Sequence, residues 1–172
     1  MDVIKNGLYY TGEYGPTMLW VISIFALYRL PSYLGMFFIG SAASIIINYL
    51  LKGLIKQPRP NQDAFLQIIE RQYRGIVGFG RYGMPSGHTQ LAVFITTYVW
   101  LATKNVYLIS VYIIICIIVM YQRVKYDFHT ITQVVSGAVA GVVVAVFFVS
   151  NVKKANKSTL RHKPDDNYFG EN

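Results

Sequence analysis

Apolar residues in this chain gather into long blocks instead of alternating with charge, as a water-exposed amphipathic helix or a half-buried strand would require. Four blocks approach the roughly 20 residues needed to cross hydrocarbon: Ser32 to Leu51, His88 to Thr103, Val106 to Gln122 and His129 to Ser150. A fifth, Thr17 to Leu30, is about 14 residues long; Trp20 and its aromatic neighbours suit an interfacial anchor, and the residues before it can extend it. The pattern predicts an all-α protein, a multi-pass transmembrane helical bundle of five spans, or six helices if an interfacial one is added.

Pro31 cannot continue a helix without losing a backbone hydrogen bond, so it marks a tight turn between the first two spans, and Lys104-Asn105 marks a later one. Gly40 with Ser44, and Gly137 with Gly141, are small residues four apart on one helix face, which lets neighbouring backbones approach closely. Between residues 62 and 74, Phe65, Ile68, Ile69 and Tyr73 fall on one helical face and Asp63, Gln67, Glu70 and Arg71 lie away from it. That segment reads as an interfacial helix or as a lid packed over the other helices. The domain boundaries expected are 1–152 for the membrane-embedded part, including an interfacial loop or helix over 61–83, and 153–172 for a polar basic tail.

Composition agrees with lipid as the solvent: 53% of residues are hydrophobic and 14% charged, which is apolar even for a globular core. The net charge of +8 attracts nucleic acid, phosphate-bearing substrates and anionic lipid alike. Location separates them, because the cations sit beside apolar blocks and never form a continuous basic stripe; no nucleic-acid partner is expected. The lone cysteine, Cys116, lies in an apolar run and reads as packing, with no internal disulfide available to it. The first sixteen residues carry Asp2, Lys5 and Glu13 and lack a signal-peptide core, so insertion is expected to be directed by a later span, without cleavage.

Alternating spans bring segments 52–84 and 123–128 out on one side, and Arg29, Lys104 and the tail out on the other. The tail holds Lys153, Lys154, Lys157, Arg161 and Lys163, so by the positive-inside rule it is cytoplasmic and the opposite face lumenal or extracytoplasmic. On that opposite face three segments place polar, titratable residues at membrane boundaries, where charge is costly unless it serves a site. They are Lys52-Gly-Leu-Ile-Lys-Gln-Pro-Arg59-Pro60, Gly83-Met-Pro-Ser86-Gly87-His88-Thr89-Gln90, and the stretch from Arg123 through Tyr126-Asp127-Phe128 to His129 and Gln133. Each is weak in isolation: a positive border, a helix start capped by Ser86, a chance Arg-x5-His. In this order, on one face, they supply together cations, a hydroxyl, backbone donors and two histidines.

The order and spacing resemble the three-part signature of the type 2 phosphatidic acid phosphatase and haloperoxidase superfamily. Gln57-Pro-Arg-Pro, Tyr82-Gly-Met-Pro-Ser and His129-Thr-x-x-Gln133-Val look most like its dolichyl diphosphatase branch, which has Gln where most relatives have Asp. The likeness covers roughly residues 40–145. It implies that His129 is the nucleophile, forming a phosphohistidine, and that His88 is the general acid, an imidazole being able to give and retake a proton near neutrality. Lys52, Arg59 and Arg123 form the phosphate clamp, completed by Ser86 and the Gly87 N–H at a helix N-terminus. Gln133, four residues after His129 on a shared helix, accepts from the other ring nitrogen and fixes the tautomer, although a neutral amide supports imidazolium charge less well than Asp.

Other signals are weighed against this one. Asp127 points away from His129 and reads as a solvated boundary residue. Gly78-x-Gly80-x-x-Gly83 has dinucleotide-turn spacing, but it leads into Met84-Pro85 and no acidic residue lies between Glu70 and Asp127 to bind a ribose; it reads as a flexible loop over the phosphate site. The acidic residues are few, and His88, His129 and His162 lack companions at ligand spacing, so neither metal nor other cofactor is expected.

The function expected is a metal-independent phosphatase of lipid phosphates or diphosphates, with a polyprenyl diphosphate such as dolichyl diphosphate favoured and phosphatidic acid next. The endoplasmic reticulum is the expected location for a eukaryotic-type protein. The rivals are a haloperoxidase using the same cation cage for vanadate and a non-catalytic lipid-binding protein. Beyond the lipid substrate and the bilayer, the sequence names no partner and no oligomeric state.

Overall fold

The computed structural model describes residues 2–61 and 78–161. Five α-helices run up and down: α1 (Asp2–Leu27), α2 (Pro31–Ile55), α3 (Gly87–Thr103), α4 (Val106–Lys125) and α5 (Ile131–Arg161), with a 3-10 turn over Gly78–Arg81 before α3. Among the described residues there is no strand. The interfacial helix or lid expected over 62–74 lies outside the described residues, save for its continuation at 78–83. The end of the tail, with His162, also lies outside them.

Both predicted turns are present. Pro31 opens α2, where its missing N–H costs nothing, and Asn105 caps α4 by accepting from the Leu108 N–H at 3.1 Å. Lys104 ends α3 in the left-handed region at φ 54°.

Among the described residues, three helices are long and apolar enough to cross a membrane: α2, α4 and residues Ile131–Ser158 of α5. Of the five spans expected, the remaining two correspond to α1 and α3. The apolar stretch from Thr17 forms the second half of the much longer α1. Helix α3 has 17 residues and packs against all four other helices, so its apolar side chains face protein. Ala92, Phe94, Ile95, Tyr98 and Val99 are fully buried there. By contrast, Phe25, Ile39, Ile46, Leu54, Ile114, Val139 and Phe147 point outward, a surface suited to hydrocarbon.

The small-residue pairs do what their spacing predicts. A Cβ on Gly137 would fall 2.6 Å from the Ser86 carbonyl oxygen, and one on Gly141 2.5 Å from that of Gln90, so α5 lies directly against the backbone that begins α3. Gly40 admits the Phe94 ring, and the Ser44 carbonyl accepts from Gln90 Nε2 at 2.8 Å. Asn48 donates from Nδ2 to Gln90 Oε1 at 2.8 Å and to the Pro85 carbonyl at 3.2 Å. This buried polar network fixes the Pro85–Gln90 segment against α2, and it leaves the ends of α2 and α4 and the starts of α3 and α5 at one end of the bundle. Helix α5 continues through residue 153, where the basic segment begins, as far as Arg161.

Candidate active site

The end of α2 supplies the first cation. Lys52 sits in its last turn, 5% exposed, and donates from Nζ to the Tyr82 carbonyl at 2.6 Å. Lys56 then closes the helix in the left-handed region at φ 52°, turning the chain into the loop that carries Arg59. The Arg59 guanidinium spreads across three groups. Nη1 donates to the Phe128 carbonyl at 3.1 Å and lies 3.0 Å from His129 Nε2, while Nη2 donates to the Gly80 carbonyl at 3.1 Å.

His129 is 3% exposed, and its backbone N–H is held by the Arg123 carbonyl at 3.0 Å. Its other ring nitrogen, Nδ1, lies 3.1 Å from Gln133 Oε1. The tautomer follows from the partners. Arg59 can only donate, so Nε2 carries the lone pair. Gln133 Nε2 donates to Gln57 Oε1 at 3.1 Å and to the Pro58 carbonyl at 2.8 Å, which turns its oxygen towards the ring and makes Nδ1 the protonated nitrogen.

His129 therefore presents a neutral imidazole whose Nε2 lone pair accepts from Arg59. Burial, then the charges of Arg59 and Lys52, push its pKa down to about 2. Burial and the charge of Arg123 lower Arg59 to about 10, which leaves it a cation at neutral pH.

The predicted contact between His129 and Gln133 is present, but the two do not share a helix. Helix α5 starts at Ile131, two residues later than expected, and His129 lies in the bend before it. Thr130 is the cap: its Oγ1 accepts from the Gln133 N–H at 3.2 Å, while Gln133 Oε1 accepts from the Thr130 N–H at 3.3 Å. This reciprocal capping box is encoded by Thr-x-x-Gln, a signal readable in the sequence. Gln133 is fully buried and uses both acceptor sites and both donors, so one side chain starts α5, orients the ring and ties down the 57–58 loop.

The loop over 78–83, expected to be flexible, is packed. A Cβ on Gly53 would overlap the Phe79 ring, and one on Gly83 would fall 2.4 Å from Gln133 Oε1. The Gly83 N–H donates to the Gln57 carbonyl at 2.8 Å. The carbonyls of Gly80 and Tyr82 are the acceptors of Arg59 and Lys52, so the glycine spacing builds one wall of the site.

Arg123 lies at the end of α4, 4% exposed, with its guanidinium 4.7 Å from the centre of the Phe128 ring and Nε donating to Gln122 Oε1 at 2.5 Å. Its Nη2 donates to Glu13 Oε2. Ser86 occupies the N-cap position of α3, but its hydroxyl makes no cap bond; it accepts from Thr89 Oγ1 at 3.1 Å, and its N–H donates to the Gln133 carbonyl at 2.9 Å.

His88 and Gly87 stand apart from this cluster. With Glu13, Pro16, Thr17, Ser44, Ile45, Asn48 and Leu91 they line a cavity of about 310 Å³, which His129, Lys52, Arg59 and Arg123 do not line. His88 Nε2 is 3.6 Å from Glu13 Oε1, so Glu13 stands between His88 and Arg123.

The family model described as PAP2 superfamily matches residues 33–157, a stretch holding all three segments of the site. The chain belongs to the PAP2 superfamily. Among curated PAP2-like relatives, it is 31% identical over 126 residues to the palmitoyl-protein thioesterase-dolichyl pyrophosphate phosphatase fusion 1 of Schizosaccharomyces pombe, covering 67% of this chain and 18% of that one. It is 28% identical over 121 residues to lipid phosphate phosphatase gamma of Arabidopsis thaliana, covering 63% and 49%. Human dolichyldiphosphatase 1 is 28% identical over 123 residues, covering 62% and 48%. The chain thus spans about half the length, or less, of the relatives it matches. No solved structure matches it significantly.

Proposed function

We propose that this PAP2 protein is a lipid phosphate or diphosphate phosphatase that works through a phosphohistidine at His129 without a metal. The observation that carries the proposal is the line Arg59–His129–Gln133: a neutral imidazole, anchored through Nδ1, with its Nε2 lone pair directed at a guanidinium. Phosphate oxygens would take the places of the Gly80, Tyr82 and Phe128 carbonyls on Arg59 and Lys52, with Arg123 and Ser86 beside them.

The Nε2 lone pair attacks phosphorus, the bond from phosphorus to the leaving oxygen breaks, and His88 protonates that oxygen. Water then gives a proton to His88 and attacks phosphorus, the P–N bond breaks, inorganic phosphate departs and the neutral imidazole is restored. Metal independence belongs to the proposal because Lys52, Arg59 and Arg123 would meet the phosphoryl charge themselves.

Two of the three relatives are named for dolichyl diphosphate hydrolysis and one for lipid phosphates, which favours a polyprenyl diphosphate, with phosphatidic acid next. A site at the end of apolar helices keeps the phosphate at headgroup depth while the tail stays in hydrocarbon. The topology proposed has five spans, with α1 and α3 joining the three most apolar helices, the site lumenal or extracytoplasmic and the C-terminus cytoplasmic. The endoplasmic reticulum fits a eukaryotic source.

The test is phosphate release by detergent-purified protein from dolichyl diphosphate and from phosphatidic acid with chelator present. Turnover that resists chelator and disappears in His129→Ala is expected. Chelator-sensitive turnover, or an active His129→Ala, overturns the mechanism, and native protein that binds these lipids without hydrolysing them is a binding protein instead.

A further inference from the structure

Glu13 lies outside the three motifs and outside the family match, yet both ion pairs among the described residues belong to it. One oxygen takes Arg123 Nη2 and the other lies 3.6 Å from His88 Nε2. Helix α1 is shaped to deliver it: a Cβ on Gly12 would fall 2.3 Å from the Gln122 side chain and one on Gly15 2.5 Å from Val119, so α1 lies hard against α4 on both sides of residue 13.

The other charged or titratable groups described at this end of the bundle include Tyr9, Tyr10 and Tyr14 on α1, Tyr49, Lys52 and Lys56 at the end of α2, Arg123 and Lys125 on α4, and Arg59, Arg81, Tyr82, Tyr126, Asp127 and His129 on the connections. Nearly all the ionic ones are cations, and Asp127 is exposed. Glu13 is the anion that reaches both His88 and Arg123.

We propose that Glu13 is a positioning residue for the leaving-group step: through one oxygen it holds the His88 ring at the cavity that both residues line, while anchoring Arg123 through the other. The inference rests on the general-acid role given to His88 above. The two contacts of one carboxylate fix the proposed proton donor relative to Arg123, a member of the proposed phosphate clamp.

The test compares two substrates with the same long alkyl chain: an alkyl phosphate, whose alkoxide must be protonated to leave, and a nitrophenyl phosphate, whose phenolate leaves unaided. In Glu13→Gln, kcat for the alkyl phosphate is expected to fall by about tenfold to a hundredfold, and the ratio of alkyl to nitrophenyl phosphate turnover to fall with it by about tenfold. Monodisperse elution in detergent reports a folded protein. Equal losses on both substrates mean that Glu13 serves structure alone, and overturn the proposal.

If Glu13→Gln does not accumulate as a monodisperse species, Glu13→Asp decides. It keeps a carboxylate but shortens its reach to Arg123 and His88 alike by one methylene, and a native ratio of the two turnovers in that variant overturns the proposal. His88→Ala and His129→Ala run beside them. If His88→Ala spares the alkyl phosphate, or His129→Ala spares both, the catalytic reading fails; if both behave as expected and only the Glu13 variants do not, the inference fails alone.

Discussion

His129 faces Arg59 across 3.0 Å with the one ring nitrogen that Gln133 does not hold, so the lone pair of a neutral imidazole meets a guanidinium at a single point. Replacing His129 with Ala should therefore abolish turnover, by a factor on the order of 10³ or more, and leave the bundle folded. Phosphate release and acid-labile labelling of the native protein by a radioactive substrate check both halves of this expectation.

Arg59 touches three groups in three directions, a geometry that a single ammonium cannot reproduce. Arg59→Lys keeps the charge and should still lose about a hundredfold in kcat/KM. An unchanged kcat/KM would mean that charge, and not the planar fork, is what the site uses.

Gln133 donates twice to oxygen atoms and accepts twice. Gln133→Glu, nearly identical in shape, presents a carboxylate oxygen to the Pro58 carbonyl and Gln57 Oε1. The variant should be less active by about tenfold or more and less stable by about 2 kcal/mol, despite bringing a carboxylate charge beside the imidazole. Thermal unfolding in detergent and kcat measure the two effects.

Acid should weaken the fold through His129. Its folded pKa of about 2 lies below the ordinary histidine value, so as pH falls below about 6.5 the unfolded chain takes a proton that the folded chain refuses. The loss begins near pH 6.5, grows to about 2 kcal/mol by pH 5 and continues towards the folded pKa. His129→Gln should flatten the corresponding fall in melting temperature between pH 7 and pH 5, and an equally steep fall in that variant would contradict the assignment.

Gly83 lies against the Gln133 amide, where a Cβ would come within 2.4 Å. Gly83→Ala must displace either the loop or the amide, and activity should drop by about tenfold or more. Gly80→Ala, with nothing within 4 Å of its Cβ, should be close to native.

Most of the helices and the grouping of the motif residues at one end of the bundle were legible from apolar blocks, Pro31, Lys104-Asn105 and the three motifs, because each is a local pattern. Helix α3 was read as a span from its apolarity, but apolarity alone does not separate a helix facing lipid from one enclosed by four others. The His129–Gln133 contact was anticipated for the wrong reason: i to i+4 spacing suggested one continuous helix, whereas Thr130 begins it and the amide reaches back. Glu13 went unnoticed because nothing near it in sequence announces a site. Only the packing of Gly12 and Gly15 on α4 brings it to Arg123 and His88, and that is information held between distant stretches of chain.

The capping box at Thr130 and Gln133 gives the protein an uncommon kind of fragility. The amide that nucleates the last helix is the same one that aims the imidazole, so fraying of a single turn would release the proposed nucleophile while the greater part of the bundle still stands. Under the proposed mechanism, detergents, lipids or neighbouring loops that loosen this turn would silence the protein long before they melted it.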